Sequence, residues 1–165
     1  MNGLTDRLVM ALEKDCEIYA EILRLGEEKK QIIIDGDIEK LEKMTVREHA
    51  LIASLMKLEE IRDKIVSEII KQKGLMQVEV IDDVIMAVDD TSKPQLEAVK
   101  RKLSNLMSDV KDVNESNGTL IKQSLDLIEF NVNLMASIRE TETNYGDQAN
   151  INYQKSKRSG FDAKA

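Results

Sequence analysis

Tryptophan is absent from this 165-residue chain, proline occurs once, and aromatic residues make up only 3%. So little aromatic volume disfavours a compact globular core and favours slender packing of helix on helix. Seven glycines and one proline leave few places where a helix must stop. The lone cysteine, Cys16, excludes an intramolecular disulfide and reads as a small hydrophobe near a helix seam. His49 is the one histidine, and neither Cys-x-x-Cys nor His-Glu-x-x-His occurs, so no transition-metal site suggests itself. Glu27-Glu28, Glu59-Glu60 and Asp82-Asp83 are sequence neighbours. They point about 100° apart on a helix and cannot share a proton as a catalytic pair does. No glycine-rich phosphate loop is present. No enzyme activity and no cofactor are therefore expected.

Two further absences bear on compartment and partners. No run approaches 18 apolar residues, so direct membrane insertion is not expected. Asp6, Arg7, Glu13 and Lys14 interrupt what would have to be a signal-peptide core. The expectation is a cytoplasmic protein. The net charge is −7, and the bases gather into no helical stripe before the tail, which argues against nucleic acid.

What the chain does have is helical periodicity. Leu4, Leu8, Ala11, Ile18, Ile22, Leu25 and Ile32 follow steps of three and four, with Asp15 and Lys29 as polar members of the same seam. That spacing predicts a helix from about residue 2 to 34, with Asn2 or Thr5-Asp6 at its start. Gly36 closes it and Asp37 caps the next. A second helix over about 38–73 has Leu41, Leu51, Leu55, Leu58, Ile65 and Ile69 in its seam, with Glu48 and Arg62 as polar members. Gly74 stops it. The short connection predicts an antiparallel hairpin. Residues 75–94 are less regular. Val80, Val84, Ile85 and Val88 would face inward from a short helix, although periodicity alone also allows a strand. Pro94, preceded by Ser92 and Lys93, suits the first turn of a last helix.

That last helix is expected over about 95–139, with a seam of Leu96, Val99, Leu103, Leu106, Val110, Val113, Asn117, Leu120, Ser124, Leu127, Asn131, Leu134 and Ile138. Every step is three or four, a heptad pattern. From Asn117 alternate members turn polar, and a second stripe opens beside the first: Ile121, Leu125, Ile128, Val132 and Met135. The fold class expected is all-α, an elongated antiparallel bundle of three long helices with a short extra helix before the last, packed like a coiled coil. At 1.5 Å per residue the last helix, about 65 Å, outruns the first two, about 50 Å each, by roughly 10–20 Å. Its final apolar turns would then lack a partner, which marks an interaction surface. After Arg139 no apolar period remains. Gly146 is expected to break the helix, giving residues 1–140 as a helical domain and 141–165 as a flexible polar tail. Four bases against three acids leave that tail at +1, and Tyr145, Tyr153 and Phe161 stand in it as isolated aromatics.

Three stretches resemble a known family. EILRLGEEKKQIIIDGDIEKLEKMTVREHALIASLMKLEEIR is similar to the first hairpin of the FlgN-type flagellar export chaperones. NESNGTLIKQSLDLIEFNVNLM is similar to their last helix, and NYGDQ to the Tyr-Gly that follows it. One departure is Phe130-Asn131, followed by Val132-Asn133, a more polar end than the family shows. The resemblance implies a chaperone that binds the helical terminal regions of the hook-associated proteins FlgK and FlgL. It would prevent their premature assembly and deliver them to the flagellar type III export gate. Leu120, Ile121, Leu125, Ile128, Val132 and Met135 are the client-face candidates under that reading, and Tyr145 is the candidate for docking at the gate. The alternative is a self-associating coiled-coil scaffold without a client, in which the same surface closes a homodimer.

Overall fold

The structure, a computed structural model, describes the backbone of residues 3–76 and 81–161, and side chains as far as Gly146. Among these residues there are four helices and no strand: α1 (Gly3–Asp35), α2 (Ile38–Lys73), α3 (Ile81–Ala87) and α4 (Lys93–Phe161). The protein is all-α. It divides into two compact units, Met1–Ile121 and Lys122–Ala165, and α4 contributes residues to both.

The helix ends follow local chemistry. Gly36 takes φ +69°, a left-handed conformation that costs other residues a steric clash. The Asp37 N–H then donates to Ile32 O and the Gly36 N–H to Ile33 O, both at 3.2 Å, which satisfies the last carbonyls of α1. The Asp37 carboxylate accepts from the Lys40 N–H at 3.1 Å and pairs with its ammonium at 2.9 Å. Those Lys40 contacts hold Asp37 below the ordinary carboxylate value. Gly74 closes α2 in the same left-handed way, with Leu75 N–H reaching Ile70 O at 3.1 Å. α4 opens with Ser92 O accepting from Leu96 N–H, and Pro94 lies in its first turn.

Three sequence expectations change. Thr5 does not cap α1: it lies inside the helix and is buried in the core, while Asn2 lies outside the described residues. The buried face of α1 is wider than one seam, because Val9, Leu12 and Cys16 are buried beside Leu8 and Ala11. α4 does not stop at Gly146 but continues to Phe161. One glycine costs a helix only about 1 kcal/mol relative to alanine, and no proline follows to block the next turn. The helix reading of the segment before α4 holds for residues 81–87, and Val80 lies outside the described residues.

Within the first unit, cross-helix pairs give the helix directions. Asp15 pairs with Arg62 at 2.9 Å and Lys29 with Glu48 at 2.7 Å, so α1 and α2 run antiparallel. The Cys16 thiol donates to Val99 O, and the Asn117 amide donates to Gly26 O at 2.7 Å, so α4 runs in the direction of α1 over this stretch. The core gathers Leu8, Leu12 and Cys16, Ile65 and Ile69, Val84, Ile85 and Val88, and Leu96 and Val99. The inward residues of α3 and its end are thus committed to this core.

Candidate partner-binding surface

α4 carries the expected seam and changes environment along it. Leu96, Val99, Val110 and Asn117 are buried, and Leu103, Leu106, Val113, Leu120 and Ser124 are half-buried. From Leu127 the same three-and-four steps are exposed, at Leu127, Asn131, Leu134 and Ile138. The second stripe is exposed as well. Ile121 is 37% accessible, while Leu125, Ile128, Val132 and Met135 lie between 57% and 66%. Steps of four, three, four and three put these five on one line along the helix. Leu120, the sixth client-face candidate, is about 100° round from Ile121 and belongs to the half-buried seam.

Between Gln123 and Ile138 the charged residues are Asp126 and Glu129 alone, so neither stripe is interrupted by charge. Apolar side chains left this accessible over four turns form a surface that water solvates poorly. Tyr145, 71% exposed, lies on α4 seven residues beyond Ile138 and therefore on the seam's side of the helix. Phe130 is exposed directly before Asn131. The side chains of Tyr153 and Phe161 lie outside the described residues.

Elsewhere the polar groups are engaged structurally. Asp15 is 2% accessible, and burial pushes its carboxyl up while Arg62 opposes that shift. Burial likewise pushes the Cys16 thiol up, which makes it a poorer thiolate. Two open clefts of about 630 and 420 Å³ flank Arg62 in the first unit, with Leu103 and Met107 lining both. Among the described residues no group of three His, Cys, Asp or Glu could hold a metal ion. Among them, too, no helix is long and apolar enough to cross a membrane.

Sequence reasoning missed Gly26. A Cβ there would lie 2.8 Å from Val113 Cγ1, so the glycine is what lets α4 approach α1 closely enough for the Asn117 bond. Its signal was available: a glycine in mid-helix is unfavourable unless a neighbour needs the space.

The class these observations define is an all-α protein that, among the described residues, exposes two charge-free apolar stripes on one helix. The chain matches the FlgN protein family over residues 1–152 and belongs to it. Membership points to a flagellar export chaperone, of a family not known for enzymes. The uncharacterized protein YvyG of Bacillus subtilis strain 168 is 26% identical over 159 residues, which cover 96% of this chain and 97% of YvyG. No solved structure matches.

Proposed function

We propose that this protein is a cytoplasmic export chaperone. It binds the helical terminal regions of the hook-associated proteins FlgK and FlgL, keeps them unassembled, and delivers them to the flagellar type III export gate. The observation that carries this reading is the exposed stripe Ile121, Leu125, Ile128, Val132 and Met135 on α4. An amphipathic client helix would lay its own apolar stripe there, with Leu120 at the edge, so that neither partner exposes that surface. α1, α2, α3 and the first part of α4 share the core of the first unit. The chaperone domain extends through residue 140, and residues 141–165 serve as a polar tail with Tyr145 as the contact for the gate. Each half-exposed aliphatic contributes up to about 1–2 kcal/mol on full burial, before the cost of ordering the client. Met135 suits a surface that repacks against two different clients.

The test is co-purification and calorimetry of the full chain with FlgK and FlgL. Leu125→Asp with Val132→Asp should weaken client binding by about 100-fold or more. Circular dichroism should show the helix content unchanged. Undiminished client affinity in that variant would remove the stripe from the account.

A further inference from the structure

Within the first unit, α2 and α4 leave a gap between them over α1. Between Met44 and Ile65 no residue of α2 is buried, although Met44 and Ile65 themselves are. Leu103, Met107 and Val110 of α4 line the same space, and Tyr19 and Ile22 of α1 lie at its floor. The clefts of about 630 and 420 Å³ share Arg62, Leu103 and Met107, so they are two parts of one groove. It runs from Val66 to Ile52 on α2 and from Lys100 to Asn114 on α4, about 21 Å along either wall at 1.5 Å per residue. At one end α3 fills the gap, where Val84 and Ile85 share a core with Ile65 and Ile69 of α2 and Leu96 and Val99 of α4. Asp82 of that short helix bonds to Lys100 on the α4 wall.

We propose that this groove takes a second amphipathic helix of the export client, about four turns long, in addition to the one on the exposed stripe. The inference rests on the chaperone reading. The walls give the chemistry of the occupant. An apolar floor calls for a helix with an apolar stripe at steps of three and four, as α3 presents with Ile81, Val84, Ile85 and Val88. The α2 wall carries two acids. Glu59 has only Arg62, at 3.8 Å, and Asp63 has no ion pair among the described residues. A base flanking the client's stripe on that side meets them. The α4 wall carries Lys100 and Lys111, and an acid on that side repeats what Asp82 does for Lys100. Opposite charges on the two walls fix which way round the helix lies. The chain's own exposed stripe lacks this pattern, because between Gln123 and Ile138 it carries Asp126 and Glu129 and no base. A foreign helix is therefore the better match. Met56 and Met107, 63% and 47% accessible, form the two lips, and their flexible side chains repack over helices of different sequence.

Methyl resonances of the eight methionines, followed in the full chain as FlgK or FlgL is added, test it. Met56 and Met107 should shift as the groove fills, and Met135 as the stripe is covered. Met10 and Met86, exposed but lining neither cleft, should stay in place. A shift of Met135 alone overturns the groove and leaves the stripe standing. Shifts of Met56 and Met107 without Met135 support the groove and remove the stripe. Silence at all three overturns both. Met56 and Met107 resonances that move when the chain alone is concentrated assign the groove to a second copy and overturn the proposal. Met56→Asp with Met107→Asp should weaken client binding about tenfold or more at unchanged helix content, and undiminished affinity overturns it. Asp63→Lys should weaken the same binding about threefold, and affinity equal to or above wild type refutes the basic flank of the occupant.

Discussion

Asp15 is nearly inaccessible to water, and burial raises its carboxyl while Arg62, 2.9 Å away, opposes that shift in part. Its carboxyl is raised above the ordinary 3.8, so the folded state holds the proton more tightly than the unfolded state does. By linkage, its contribution to stability is most favourable at low pH and falls as pH rises from about 3.8 through the raised folded value. Asp15→Asn cannot titrate and should lack that fall, at a cost within about 1 kcal/mol. Arg62→Met leaves a buried carboxylate unpaired. At pH 7 it should destabilise by about 3 kcal/mol, and the deficit should shrink as pH falls toward 4. Urea unfolding of the three chains between pH 4 and 7 checks both the order and the narrowing. The sequence showed Asp15, Lys29, Glu48 and Arg62 as polar members of two apolar seams. It did not show that they meet as two ion pairs, because pairing depends on the stagger between α1 and α2. With both pairs formed, that stagger is fixed: a slip of one turn would bury each charge against an aliphatic side chain.

At the scale of the element, helix ends were easier to read than helix interiors. Gly36, Asp37 and Gly74 act through their own backbone and nearest neighbours, and their roles were legible from composition alone. Gly146 has the same chemistry but no obligatory left-handed turn, and α4 runs through it. Gly26 acts through Val113, 87 residues away, and only packing makes it necessary. Gly26→Ala would set a Cβ 2.8 Å from a β-branched side chain with little rotamer freedom. The clash costs about 1–3 kcal/mol, and alanine's better helix propensity returns about 1. A net loss of about 1–2 kcal/mol is expected by chemical denaturation, and Val113→Ala in the same chain should recover at least half of it. A Gly26→Ala chain more stable than wild type would show that α1 and α4 do not need this approach.

The molecule as a whole divides into a packed unit, Met1–Ile121, and a unit, Lys122–Ala165, whose described apolar side chains are exposed. If Tyr145 contacts the export gate, Tyr145→Ala should leave client affinity and helix content unchanged while lowering export of FlgK and FlgL and swimming motility. Motility equal to wild type would remove Tyr145 from that role. The two apolar stripes, the first hairpin and the family resemblance were all present in the linear pattern, because periodicity and capping are local properties that a sequence states directly. Which stretch of the seam is covered was not. The same three-and-four steps continue from Leu96 to Ile138, yet burial ends after Ser124. Tertiary structure alone decided that limit, because burial depends on which helices lie within reach of each turn, and a repeating pattern carries no record of where its partner ends.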